Sequence, residues 1–289
     1  MHSDLYQAIL ARRSVRRYEQ GPLDEDTLAQ ARETLSRIEP LIPDNRFTVW
    51  MRDVLPGEDL AATLGGYGKI VSPPHYLVPY MTGEGYVLED LGYRVEQIAV
   101  RLAALGIGTC YIGSLGREAA VRARFGLPEE ARIGAFLIFG QPSGALGGRL
   151  ANTLLRRAAG ATNKMPAKRI FFRDTFDAPA EPQAELAPLV EAARHAPSAV
   201  NAQPWRFLWH GERLYLFVKR HNLKYGTGAT AHYRLYDGGI CMANVALALE
   251  ALGVKGHWRM LAGGEPGLPD HPPNLQPMAR LDLQTAEEK

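Results

Sequence analysis

Apolar residues recur along this chain with two spacings, one helical and one strand-like. The clearest helical run passes through Leu88, Leu91, Val95, Ile98, Leu102 and Leu105 and predicts a helix that stops at Gly106. The same spacing predicts helices at Asp4 to Ala11, with Ser3 as N-cap, and at about Glu25 to Arg37, opened by Pro22-Leu23-Asp24. Further helices are expected from about Glu118 to Arg124, from Ala184 to His195, and from about Tyr233 to Leu252, ending at Gly253. Strand signals fall at Arg46 to Met51, His75 to Met81, Thr109 to Ile112 and His257 to Leu261. Arg206 to Trp209 and Leu214 to Val218 read as a hairpin around Gly211. Ile133 to Phe139 is a continuous apolar run, the pattern of a buried strand.

Helices and strands alternate, so the expected class is α+β, an α/β sandwich. From Gly140 to about Pro182 the pattern breaks down into a basic, irregular stretch carrying Arg149, Arg156, Arg157, Lys164, Lys168 and Arg169. It reads as a crossing connection, which divides the chain into 1–145, a linker 146–182, and 183–289. The halves echo one another: AVRLAALGIGTCYIG in the first corresponds in order to ALALEALGVKGHWRM in the second. That order suggests an internal duplication.

Composition narrows the function. The chain has 289 residues, of which 46% are hydrophobic and 22% charged, enough apolar material for a sizeable core and too much for a disordered chain. A net charge of +2 leaves no footprint for nucleic acid or an anionic membrane, so any bound anion must be held by a local cluster. The two cysteines, Cys110 and Cys241, form neither a disulfide framework nor a zinc site. No apolar signal core and no membrane-length run stands out, and the expected location is cytoplasmic.

Two clusters suggest chemistry. Arg12, Arg13, Ser14 and Arg16 follow the first helix; guanidinium groups hold phosphate bidentately and a serine adds a donor, although a solvated basic turn has the same composition. The run Ala196-Pro197-Ser198-Ala199-Val200-Asn201-Ala202-Gln203-Pro204-Trp205 is stiffened by prolines and rich in small polar groups. It suits the edge of a flat heteroaromatic ring, and equally a plain loop entering a strand. Gly65 to Lys69 fails as a phosphate loop, because Thr63 and Ile70 stand where glycine and a hydroxyl residue are required. Gly106-Ile107-Gly108 lacks the third glycine of a dinucleotide fingerprint and follows a helix, not a strand. The eight histidines are scattered and Cys110 reads as a small buried apolar residue.

ILARRSVRRY together with APSAVNAQPWRF closely resembles the FMN-dependent nitroreductase family. The resemblance continues in YGKIVSPPHY, LAALGIGTCYIGSL and IGAFLIFGQP, and LYDGGICMANVALALEALGVKGHW is similar to the single-chain, duplicated branch. It implies a nitroreductase fold of two related halves forming a pseudo-dimer, each with a central mixed, mostly antiparallel sheet. Family members keep the arginine-serine segment and the PSAxNxQPW segment close together in one subunit and bind flavin between two subunits. Here the first half has the one segment and the second half the other, so the resemblance implies one FMN per chain, a dead second site, and a protein that works as a monomer. It assigns the FMN phosphate to Arg12, Arg13 and Ser14, and the pyrimidine edge to Arg16 and Lys69. Pro197, Ser198, Ala199, Asn201 and Gln203 would line the ring from the other half. Tyr111, Ile112 and Gly113 would pack along the opposite face or edge. Lys164 is a second phosphate contact or a solvated lysine. The implied activity is reduction of a small acceptor, a nitroaromatic or quinone, by NAD(P)H through a ping-pong route; a flavin-storing or flavin-delivering protein, or a chemistry such as dehalogenation, is the alternative.

Overall fold

A computed structural model describes residues 2–144, 153 and 163–284. The expectations at Arg149, Arg156 and Arg157 lie outside the described residues. The first half runs α1 (His2–Ala11), α2 (Glu25–Thr34), β1 (Arg46–Asp53), α3 (Leu60–Leu64), β2 (His75–Thr82), α4 (Val87–Ala104), β3 (Gly108–Gly113), α5 (Glu118–Phe125) and β4 (Ala135–Gly140). The second runs β5 (Phe171–Arg173), α6 (Ala187–His195), β6 (Trp205–His210), β7 (Arg213–Lys219), α7 (Tyr233–Leu252), β8 (Gly256–Met260) and β9 (Leu275–Leu283).

Local chemistry sets most boundaries. Asp24 caps α2 by accepting the Thr27 N–H at 2.8 Å, and the last residues of the expected helix tighten into a 3₁₀ turn at Leu35–Arg37. α7 ends where Gly253 turns left-handed. The β6–β7 hairpin turns on Gly211 and Glu212, both with positive φ, the primed geometry that matches strand twist.

The first sheet has the order β1-β2-β4-β3 and is wholly antiparallel. The second has the order β5-β6-β7-β9-β8, with β5 parallel to β6 and the other pairs antiparallel. The stretch expected to be an irregular connection therefore contains a strand, β5. Three residues carry no readable periodicity, and it is pairing with β6 that makes them a strand.

One face of each sheet packs on a shared helical layer. Leu77 and Met81 of β2, and Leu216 and Val218 of β7, belong to the same apolar cluster as α1, α2, α4, α6 and α7. The alternate residues Tyr76 and Val78, and Tyr215 and Phe217, face separate outer clusters, as the two-residue period of a strand requires. The centre of the layer is the α4–α7 pair. Here Gly92 and Gly239 are required by close approach: a Cβ on Gly92 would stand 2.2 Å from Tyr236 O, and one on Gly239 would stand 1.9 Å from Glu89 O. Asp90 and Gly92 occupy α4 as Asp237 and Gly239 occupy α7. Both aspartates are fully buried, and each accepts a backbone N–H at 2.9 Å, from Leu41 and from Ala199 respectively. α7 is long and apolar enough to cross a membrane by length and composition, but it is mostly buried inside the fold.

Candidate functional site

Between the halves lies a cavity of about 780 Å³, within the usual size range of small-molecule sites. One wall comes from the first half. After α1 the chain turns along the edge of β3: Ser14 bridges Thr109, and Val15 N donates to Thr109 O at 2.9 Å. That path brings Arg12, Arg13, Ser14 and Arg16 to the cavity, with Arg12 and Arg16 themselves buried. Tyr111 and Gly113 join them because they share one face of β3. Ile112 points to the opposite face, into the outer cluster, and does not line the cavity. Lys69 is exposed and also stays outside; Tyr67, two residues earlier on the same 3₁₀ turn, lines the cavity instead and is 47% exposed.

The other wall belongs to the second half. Pro197, Ser198, Ala199, Val200 and Asn201 form a tight loop in which Val200 and Asn201 both have positive φ. Hydrogen bonds hold that shape: Ala199 N donates to Asp237 at 2.9 Å, and Gln203 N donates to Ser198 Oγ at 2.9 Å. Gln203 sits behind the loop rather than in the cavity. Its Oε1 accepts from Met165 N and its Nε2 donates to Asn163 O, each at 2.9 Å. Lys164 lines the cavity and donates through Nζ to Ala196 O at 2.6 Å. Burial, and then the nearby Arg12 guanidinium, lower its pKa to about 7.

Four residues at the site carried no sequence signal strong enough to single them out. Tyr233 and Tyr236 reach across from α7. Tyr233 donates to Gly134 O at 3.2 Å and accepts from Leu115 N at 3.1 Å, fastening the halves together. The Tyr236 ring lies where a Cβ on Gly134 would stand 2.2 Å away, so only glycine admits it. Its ring meets Tyr111 edge-on at 6.3 Å, and its hydroxyl is buried without a hydrogen-bond partner. Asp237 accepts from Tyr225 at 2.7 Å; burial raises its pKa to about 8, a rise that the Tyr225 hydrogen bond limits. Glu96 stands in α4 directly behind the first wall. It accepts from Tyr111 at 2.7 Å and lies 3.5 Å from Arg12 Nε, with both its side chain and that of Arg12 almost fully buried. Burial pushes the Glu96 carboxyl up, against the pull of Arg12, Tyr111 and Lys164. Arg12 Nε and Nη1 and Glu96 Oε1 are buried without hydrogen-bond partners, so the pair is close without being saturated. A charge inside an apolar helical repeat is the one trace that Glu96 and Asp237 leave in the sequence.

Among the described residues no group of histidine, cysteine, aspartate and glutamate could hold a metal ion. Cys110 is buried on the outer face of β3, away from the cavity.

The family described as Putative TM nitroreductase matches residues 4–249. Comparison with the curated proteins finds no match. Among solved structures, a putative nitroreductase from Thermotoga maritima is 18% identical, with a TM-score of 0.56, covering 97% of this chain and 94% of that one. Nitroreductase A from Vibrio parahaemolyticus is 20% identical over 48% of this chain and 68% of its own, with a TM-score of 0.41. An FMN-dependent nitroreductase from Clostridium difficile is 18% identical over 49% of this chain and 87% of its own, with a TM-score of 0.39. The family match runs from α1 into α7, and the Thermotoga fold matches nearly end to end: this chain belongs to the TM nitroreductase family.

Proposed function

We propose that the chain is an FMN-dependent oxidoreductase that carries reducing equivalents from NAD(P)H to a small acceptor, a nitroaromatic or quinone, by a ping-pong route, with one FMN between its halves. Membership of a nitroreductase family supports oxidoreductase chemistry. The observation that carries the finer reading is the two-sided cavity, with a cationic wall from the first half and the proline-stiffened polar loop from the second.

The residues present fit the cofactor. Arg12 has two buried donor nitrogens without hydrogen-bond partners, and Arg13, Ser14 and Lys164 line the cavity with it, a donor set suited to a phosphate dianion. The aromatic walls of Tyr111 and Tyr236 and the loop at Pro197 to Asn201 suit a flat heteroaromatic ring. Arg16 would place fixed positive charge beside the ring, which favours its anionic reduced form. When bound, FMN supplies reversible hydride chemistry, so the protein's task is to hold, orient and shield. The chain needs no dinucleotide-binding fold for the nicotinamide, which would visit the cavity and leave before the acceptor enters.

A single site per chain is supported by what occupies the corresponding place beside Asp90. There Arg94 pairs with Asp90 at 2.8 Å and donates to Ile42 O at 2.9 Å, so a salt-bridged arginine stands against the loop that corresponds to Ala199. The test is anaerobic: purify the protein, measure flavin per chain, and add NADH or NADPH. One FMN per chain that bleaches with a nicotinamide and recovers with a quinone is expected. A ratio near two refutes the single site, and a flavin that neither donor reduces refutes the enzyme.

A further inference from the structure

The residues Asn163, Lys164 and Met165 are clasped to the loop of the second half. Gln203 holds the backbone at two points, accepting from Met165 N and donating to Asn163 O. Asn201 Nδ2 donates to the same Asn163 oxygen at 2.9 Å, and Arg194 Nε donates to Met165 O at 2.8 Å. The side-chain amides of Asn201 and Gln203 are thus spent on backbone, and the residue they fix between them is Lys164, whose Nζ enters the cavity beside Arg12.

We propose that Gln203 and Asn201 are positioning residues that place Lys164 as an anion-binding residue, and that Lys164 takes up one proton from solvent when the phosphate of the ligand binds. The inference rests on the functional reading above. In the free protein Lys164 faces Arg12 and Arg13 at the end of α1, Glu96 on α4, His195 on α6, and Asp237 and Cys241 on α7. Burial and the two guanidiniums oppose its charge, and Glu96 offsets them only in part. A phosphate dianion reverses the sign of that field at short range, where Coulomb energies are largest. The proton goes from buffer to Nζ, and the charged ammonium then has donors for the phosphate beyond the one that holds Ala196 O.

The test is calorimetric titration of the apoprotein with FMN in buffers of different ionisation enthalpy. Near pH 8 the phosphate is already a dianion, and the expected uptake is about one proton per FMN, declining toward zero near pH 6. Affinity should fall roughly tenfold per pH unit above neutrality. Lys164→Arg, which cannot lose its charge, should keep FMN binding while losing both the uptake and the pH slope. Gln203→Met, and Asn201→Gly as a second variant without backbone strain, should weaken binding and lower the uptake at pH 8. A merely structural role would lower thermal stability in these variants and leave the uptake at its wild-type value. FMN binding without uptake, or uptake that survives in Lys164→Arg and so resides on another group such as Asp237, Glu96 or His195, overturns the inference. Failure of FMN to bind at any pH overturns the functional reading itself and this inference with it.

Discussion

Arg12 and Glu96 form an ion pair that is buried on both sides, with 5% and 0% of the side chains exposed. Arg12→Met keeps much of the side-chain volume and removes the charge, leaving Glu96 to Tyr111 alone among its close partners. Breaking one partner of a buried pair costs about 3–5 kcal/mol, and the 3.5 Å separation without a hydrogen bond places this pair near the lower figure, about 3 kcal/mol. The cost depends on pH in a defined direction. Burial already holds the Glu96 carboxyl above its ordinary value of 4.5, and losing Arg12 raises it further. The folded state then keeps a proton that the unfolded state has released, so stability is full below about 4.5 and is lost as pH rises through the folded value. The variant should therefore be closer to wild type at pH 5 than at pH 8. Arg12→Met/Glu96→Gln should recover most of the loss and flatten the pH dependence, because no charge remains to bury. FMN affinity should stay low in both variants, since both lack the guanidinium proposed above as a phosphate contact. Urea unfolding at the two pH values, with flavin titration alongside, separates the two effects. Wild-type stability of Arg12→Met at pH 8, or a double variant no better than the single, would refute the reasoning.

Three other outcomes follow from single distances and angles. Gly239→Ala gains about 1 kcal/mol of helix propensity but puts a Cβ 1.9 Å from Glu89 O, so a net loss of about 1–3 kcal/mol is expected in urea unfolding; an unchanged or raised midpoint would contradict the tight helix crossing. Val200 is a β-branched residue at φ 48°, 56% exposed, and Val200→Asn should stabilise by about 1 kcal/mol, read as a rise in Tm; a fall would show that the valine side chain contributes more than its strained backbone costs. Asp237, with its pKa raised from 3.8 to about 8, retains a proton in the folded state that the unfolded state has lost. Its contribution to stability should therefore fall as pH rises through that window, and Asp237→Asn should make the slope shallower, leaving the part that Glu96 supplies; an identical slope in the variant would place the titration elsewhere.

The helices and most strands were legible because their evidence is local. The apolar repeat from Leu88 to Leu102 lies within one element, α4, and the caps at Asp24 and Gly253 act on their own helices. The family resemblance was legible for the same reason, since Arg12 to Arg16 and Pro197 to Gln203 are contiguous runs. Long-range contacts decided the rest. Phe171 to Arg173 became a strand because β6 offered it an edge. Ile112 turned away from the cavity because β3 alternates, and Lys69 stayed outside the cavity while Tyr67 on the same turn, itself half exposed, lines it. Glu96 reads in sequence as one of several polar residues in α4, among Glu89, Asp90, Arg94 and Gln97; burial of α4 against α7 sets its carboxylate against Arg12 and Tyr111. Gln203 reads as part of a ring-lining motif, and its amide instead holds the backbone on either side of Lys164. By itself the sequence determined most of the segments that form elements and which segments carry charge. Only the tertiary structure decided which charges meet, because the energy of a buried charge depends on neighbours that the chain brings together from positions far apart.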